Sequence, residues 1–296
     1  MKEVFWHLPG FCYFFYLNQV IINLMKEYPE RFEPGFKVGS VYGTFPGAIW
    51  NGGRAVFGIT AKSDMEKIIS TYNKAGVPVR FTWTNSALEE KHVYDTYCNL
   101  IMDIANNGMN QVLVNTKVLE DYLRQNYPDF KYISSTTKRI RDLETFQKEL
   151  KQDFFMAVLD YDLNHDEEVL KALECEAGRV EILVDEICYP GCPKRTEHYR
   201  DESIMQLTFD KTGHFDCPNR KTKPSFEEAM KRPSFIRKEE LPSYIDRGYV
   251  NFKLVGRGLP IELLKDSYLY YLVKEEEREF IGKKLEAALA KLPGGR

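Results

Sequence analysis

The sequence predicts an α/β chain folded as a (β/α)8 TIM-like barrel, with a cysteine-containing insertion between the seventh and eighth strands. Three observations carry this. Eight short apolar runs recur along the chain with helical patterns filling most of the gaps, the alternation that builds a parallel sheet. Most of these runs are continuous rather than alternating, as strands buried on both faces are. No unit carries a glycine-rich dinucleotide loop, which together with the count favours the closed barrel over an open doubly wound sheet.

The first strand spans Val4–Pro9 and leads into an aromatic-rich helix, Phe11–Lys26, that stops near Tyr28-Pro29. Its stripe of Phe11, Tyr13, Phe14, Phe15 and Tyr16 is expected to cover the barrel flank. The second strand, Lys37–Tyr42, is followed by an apolar run, Ala55–Ile59, expected as a short accessory strand. The next helix covers Ser63–Ala75, opening on Ser63-Asp64-Met65-Glu66, a capping-box pattern, and closing at Gly76. Strands Val79–Thr84, Gln111–Val114, Lys131–Ser134 and Phe155–Leu159 then alternate with helices Ser86–Asn107, Lys117–Asn126, Asp142–Lys151 and Asp166–Cys175. Helix stops such as Asn107-Gly108 and Tyr127-Pro128-Asp129 lead into the strands that follow. Strand seven is Val180–Val184, strand eight Val250–Val255, and Ile261–Val273 is the helix behind it.

Residues 1–273 are therefore read as one barrel, including an insertion over its mouth at 193–249. That segment is polar and proline-containing, and a break of this length inside a compact domain is functional or held by a staple. Residues 274–296 form a charged C-terminal helix and tail, which could pack on the outside or against a partner. Tyr268, Tyr270 and Tyr271 are read as exposed aromatics that could add to such an interface.

With 43% hydrophobic residues among 296, the chain can bury a large core. A net charge of −3 gives no global reason to expect a nucleic-acid partner. The apolar opening run, Leu8–Leu17, follows no basic segment and leads to no small-residue cleavage site. Asn18, Gln19 and Asn23 also interrupt it, so neither a signal peptide nor a membrane span is expected, and a cytoplasmic location follows. Six cysteines are too sparse for a disulfide scaffold.

Three of them crowd one stretch. Cys188 and Cys192 flank Tyr189-Pro190-Gly191, a tight turn that brings two sulfurs within reach of one metal. Cys217 closes from the far side of the insertion. His214, at His-x-x-Cys spacing, completes a Cys3His zinc set, while Cys12 is the other candidate fourth ligand. Three thiolates on a cluster leave one iron open for a substrate. The plainer account is three free cysteines in a folded loop, and Cys98 and Cys175 are expected as packing residues in helices.

A barrel also brings the residues just past each strand to one pocket. These are Gly10, Cys12, Tyr42, Thr44, Asn85, Asn115, Ser135, Thr136, Asp160, Asp162, Asp185, Glu186 and Arg257. The mixture suits a polar, anionic small ligand, with Asp160, Asp185, Glu186 and Arg257 as the catalytic candidates. Asp160–Asp166 resembles half a calcium loop but lacks its glycine, and an N-cap with first-turn acids accounts for it. Gly52-Gly53-Arg54 could cradle a phosphate, although a turn feeding the next segment is the simpler role. His198 and Tyr199, near Lys194 and Arg195, are a candidate acid/base pair, with a solvated loop as the plainer account.

Val180-Glu-Ile-Leu-Val-Asp-Glu-Ile-Cys188, followed by Gly191-Cys192, resembles the pattern around the first cysteines of the collagenase-like peptidase U-32 superfamily. Gly248-Tyr-Val-Asn-Phe-Lys-Leu-Val-Gly-Arg257 resembles that family's later strand, ending in Lys-(Ile/Leu)-x-Gly-Arg. The resemblance implies a TIM-like barrel, and in several members a [4Fe–4S] cluster on four cysteines serving oxygen-independent hydroxylation of RNA bases or a quinone precursor. Other members are described as peptidases. Carried over by position, Cys188, Cys192 and Cys217 would be cluster ligands and Arg257 a pocket residue. Here the first two cysteines lie closer together than in the family, and only one follows in the insertion.

Three functions follow as expectations. The first is an iron–sulfur enzyme acting on a small or nucleotide-like substrate. The second is a hydrolase or peptidase stapled by zinc. The third is a non-catalytic barrel that binds a partner or forms an oligomer.

Overall fold

A computed structural model describes residues 2–212, 217, 224–256 and 258–292. Arg257 and His214 lie outside the described residues. Eight parallel strands close into a barrel in sequence order: β1 Val4–Pro9, β2 Phe36–Gly43, β3 Val79–Trp83, β4 Gln111–Val114, β5 Lys131–Ser134, β6 Met156–Val158, β7 Val180–Leu183 and β8 Asn251–Lys253. The ring is closed by β1 on β8, where Phe5, Trp6 and His7 lie opposite Asn251, Phe252 and Lys253.

The described helices between and after them are α1 Phe15–Glu27, α2 Lys62–Lys74, α3 Thr96–Ala105, α4 Lys117–Asn126, α5 Leu143–Leu150, α6 Glu167–Ala172, α7 Arg195–Thr208, α8 Phe226–Ala229, α9 Leu241–Asp246, α10 Ile261–Leu272 and α11 Arg278–Leu289. None of the described helices is long and apolar enough to cross a membrane.

Alternation along each strand sorts side chains into two cores. The outward residues, such as Trp6, Val41, Phe81, Val112 and Phe252, join the helices in one large apolar cluster. Inside the barrel, Leu113, Ile133, Met156, Val158 and Leu183 form a smaller one of their own. The rest of the lumen is polar, with His7, Ser40, Arg80, Gln111, Glu181, Asn251 and Lys253 all buried.

Several local expectations are corrected. Ala55–Ile59 forms no strand: the Ala55 and Val56 N–H groups donate instead to the side chains of Glu202 and Gln206 on α7. The segment 86–107 is not one helix, because a 3-10 turn at Glu90–Tyr94 precedes α3, which Asp95 caps through Cys98 N–H. Helix α2 starts at Lys62 with no side-chain cap, so the Ser63 capping box is not made. Cys175 is exposed in a 3-10 turn rather than packed. Tyr268, Tyr270 and Tyr271 are buried under α10, which removes them from any interface. Helix α11 turns Ile281 and Leu285 into the core and packs beside α1 and α10. Asp166 caps α6 through Val169 N–H, as its place before the two glutamates predicts.

Candidate functional site at the barrel mouth

Past β7 the chain continues the ladder for one residue, Val184 N–H donating to the Lys253 carbonyl. The insertion then departs and returns to the same place, where Ile236 N–H donates to the Val184 carbonyl at 2.7 Å. Between these points Pro190 and Gly191 turn the chain, with Gly191 at φ +64°, a left-handed conformation that favours glycine.

Helix α7 forms a roof. Fourteen residues span ~21 Å at 1.5 Å per residue, and its two ends reach different walls of the mouth. At its start the Arg195 guanidinium bonds Asp162 at 3.0 Å and lies 3.9 Å over the Tyr161 ring, both beyond β6. Farther along, Glu202 and Gln206 hold the backbone of Ala55 and Val56, beyond β2. Ser203 receives the Asn85 amide on its carbonyl and the Ser86 N–H on its hydroxyl, beyond β3. Gly52 lets this arrangement close, since a Cβ there would stand 2.2 Å from the Thr84 carbonyl.

Under the roof lies a cavity of about 90 Å3, room for about six waters at ~15 Å3 each. Arg54, Glu186, Cys188, Tyr199 and Lys253 bring its chemistry, and Tyr42, Thr84, Ser135 and Thr136 add hydroxyls. The Glu186 carboxylate accepts the Cys188 N–H at 2.9 Å. Burial, then the neighbouring Glu186 charge, pushes the Cys188 thiol up to about 12, against the pull of Arg54 and Arg195. The thiol is therefore neutral at physiological pH.

Arg54 stands 3.4 Å from His198 Nε2, and His198 lies 3.3 Å from Glu202. His198 thus belongs to the junction between roof and wall, with its ring stacked 6.5 Å from that of Tyr199, which lines the cavity. Gly53 and Arg54 line the cavity.

Below the cavity is the charged part of the lumen. Arg80 pairs with Glu181 and bonds Gln111 at 2.8 Å and His7 Nδ1 at 3.0 Å. Lys253 lies 3.3 Å from the other Glu181 oxygen and 4.2 Å over the Tyr42 ring. Glu181 is held below the usual carboxylate range by Arg80 and Lys253, whose pull outweighs its burial. His7 is lowered to about 3 by burial and by Arg80.

The structure divides the sequence candidates. Glu186 and Cys188 line the cavity, with Tyr42, Ser135 and Thr136. Asp185 does not: it is buried, accepting the Val255 N–H at 2.6 Å and the Ser267 hydroxyl at 2.9 Å, and burial raises it to about 7. Asp160 is ion-paired with Arg139 at 2.5 Å, and Asp162 holds both Arg139 and Arg195. Both aspartates serve the wall and the roof. Asn85 donates to the Ile49 and Ser203 carbonyls and Asn115 to the Thr137 hydroxyl.

All six cysteines are free thiols. Cys12 sits against Thr60 and Asp64, pushed up to about 11 by burial, and does not line the cavity. Among the described residues no three of His, Cys, Asp and Glu gather as a metal site. The described donor set therefore offers Cys188 at the mouth and does not by itself complete a zinc or iron–sulfur centre. Cys192 and Cys217 are partly buried, and the stretches 213–216 and 218–223 around Cys217 lie outside the described residues.

Arg54, Lys253, Thr84 and Tyr199 are among the cavity residues that strand-end counting passed over. Lys253 carried a usable signal: alternation back from Val255 and forward from Asn251 points it inward.

No family model matches the chain. A curated relative, the uncharacterized protease MJ1657 of Methanocaldococcus jannaschii, is 25% identical over 242 residues, covering 78% of this chain and 71% of its own. The solved structure of the U32 peptidase Mk0906 superposes with a TM-score of 0.54 at 16% identity, over 88% of this chain and 94% of that one. The chain has the barrel fold of that U32 peptidase structure. In this U32-like barrel the two sequence phrases that carry the resemblance supply neighbouring strands: β7 with its Cys188 loop, and β8 with Lys253.

Proposed function

We propose that this U32-like barrel is an enzyme that acts at its mouth on a small polar substrate, beside an iron–sulfur centre for which Cys188, Cys192 and Cys217 are the ligands. The single observation that supports it is the convergence of Cys188, Arg54, Glu186, Tyr199 and Lys253 on one roofed cavity. Cys188 faces that cavity with two guanidinium groups drawing on its thiol, and a coordinated metal would deprotonate a thiol outright. An iron–sulfur centre supplies redox chemistry, which is the part an oxygen-independent hydroxylation would need. The chain's own residues supply the rest: Lys253 and Arg54 bring positive charge to the cavity, Glu186 a carboxylate, and α7 keeps solvent from above. A reducing cytoplasm suits six free thiols.

Proteolysis is the reading that the names of the relatives offer. One feature weighs against it here: a thiol pushed up to about 12 is a weak nucleophile at neutral pH. Zinc on the same cysteines with His214 would fill all four positions and serve as a staple.

Iron, zinc and acid-labile sulfide analysis with a visible spectrum, on protein purified without oxygen, decides among these. Several iron and sulfide per chain, lost in Cys192→Ser, is the expected result. One zinc and no colour would replace the redox enzyme by the zinc-stapled hydrolase. Neither metal would sink the cofactor assignment.

A further inference from the structure

We propose that the mouth cavity is a subsite for a small zwitterion, an α-amino acid near glycine or alanine, with its carboxylate on the Arg54 guanidinium and its ammonium on the Glu186 carboxylate. The inference rests on the mouth being the reacting site and names the substrate class there. Bonding positions of both signs, unused around one cavity, carry it.

Glu186 supplies the negative end. It is 7% exposed and lines the cavity. Both of its donors among the described residues come from Cys188, the backbone N–H at 2.9 Å and the thiol. A carboxylate can accept at about four positions, and among the described residues this one makes no ion pair. Charge shielded from water is costly unless it is paired, so Glu186 suits a cationic donor.

Arg54 supplies the positive end on the same cavity. Its hydrogen bonds among the described residues, to the Gly53 carbonyl at 3.1 Å and His198 Nε2 at 3.4 Å, both leave from Nη1. The donors on Nε and Nη2 remain, an edge that a carboxylate grips with parallel bonds. Glu202 faces Arg54 as Glu186 does, so negative charge alone is not what the site calls for. The Glu202 oxygens are committed, however, to the Ala55 N–H at 2.7 Å and to His198 at 3.3 Å. A lone anion would meet Glu186, and a lone cation would meet Arg54. A molecule carrying both charges satisfies the two groups together. Lys253 is not needed for this, being held by Glu181, by the Tyr42 ring and by a further interaction.

Two hydroxyls add to the set. Thr84 Oγ1 and Thr136 Oγ1 are buried with no hydrogen-bond partner among the described residues, and both residues line the cavity. Thr84 is 2% exposed. Buried hydroxyls are almost always paired, and a hydroxyl can donate to a carboxylate or accept from an ammonium. The volume of about 90 Å3 is that of about six waters, close to the number of non-hydrogen atoms in the smallest amino acids.

The test is titration calorimetry at neutral pH and fixed ionic strength, on protein purified without oxygen. Glycine is compared with acetate, which carries the carboxylate alone, methylammonium, which carries the ammonium alone, and acetamide, which is of similar size and uncharged. Glycine should bind saturably and at least about tenfold more tightly than each of the others, the worth of one charge-assisted bond. Glu186→Gln keeps an acceptor for the Cys188 N–H, and in it glycine should fall to the affinity of acetate. In Arg54→Met it should fall to that of methylammonium. A merely structural role would weaken all four compounds alike. No glycine binding, any of the others binding within tenfold of it, or a preference for glycine that survives both substitutions would overturn the proposal. Should Arg54→Met not fold, Glu186→Gln decides. Glycine binding in a sample without iron or sulfide removes the cofactor assignment alone, and a cluster-bearing sample that ignores glycine removes only this inference.

Discussion

On the outer flank of β1, Trp6 lies 5.3 to 5.5 Å from the rings of Phe36, Phe252 and Tyr271, while on its inner side the neighbouring His7 meets Arg80 and Glu181. Both environments are equally dry: Trp6 is 0% exposed and His7 2%. The flank holds the barrel through apolar area, which tolerates small changes of shape. The lumen holds charges that are acceptable only while each partner stays in place. An apolar lumen would be the cheaper solution, and part of this one, from Leu113 to Leu183, is in fact apolar. Of the charged set, Lys253 reaches the cavity, beside Leu113 and Leu183.

The largest expected effect follows from breaking the lumen side. Glu181→Gln removes the carboxylate from between Arg80 and Lys253 and leaves two buried cations, at a cost of about 3–5 kcal/mol. Adding Arg80→Met should recover much of that loss, because the unpaired guanidinium is then gone. Urea unfolding of the singles and the double measures the coupling. Additive losses would mean that the pair contributes as ordinary packing, like the flank.

A smaller effect is expected at the roof. Arg195→Leu breaks the bond to Asp162 and the contact with Tyr161, while Arg139 keeps its hold on Asp162. The loss should be about 1–3 kcal/mol, as for a charge-assisted hydrogen bond, and local to α7. Limited proteolysis of residues 190–210 should speed up while the barrel's unfolding midpoint moves little. Unchanged cleavage would show that Glu202, Ser203 and Gln206 hold α7 without Arg195.

The same division governs what the sequence disclosed. Strand runs were legible because the flank demands apolar residues from every strand, and β1, β4 and β5 fall at their expected bounds. The lumen left a fainter trace, since Arg80, Glu181 and Lys253 each interrupt an apolar run by one residue. The roof left almost none. Its bonds join Glu202 and Gln206 to Ala55 and Val56, about 150 residues away, and these satisfy the backbone groups that made Ala55–Ile59 look like a strand. Asp185 follows Glu181 and Leu183 in the inward alternation, yet its carboxylate is claimed by Val255 and Ser267. Cys188 was found because sulfur beside a tight turn is a chemical signal rather than a packing one.

The finest test sets Asp185, behind the mouth, against His7, in the lumen. Burial raises Asp185 from 3.8 to about 7, so between these values the folded state holds a proton that the unfolded state has lost. Stability from this group is complete below pH 3.8 and declines as pH rises through 7. His7 has the opposite sign: lowered from 6.5 to about 3, it stays neutral in the fold where the unfolded chain takes up a proton. Its contribution is present above pH 6.5 and is lost as pH falls towards 3. From pH 4 to 6.5 the two slopes oppose, each at most about 1.4 kcal/mol per pH unit. Asp185→Asn keeps an acceptor for the Val255 N–H but cannot titrate, so its stability should climb more steeply with pH in this window than that of wild type. Urea unfolding at half-unit steps reads the difference between the two curves, which isolates Asp185 from every other carboxylate. Parallel curves would mean that Asp185 is ionised within the fold, with a counter-charge reaching it from the lumen side, and the separation between mouth and lumen would no longer hold.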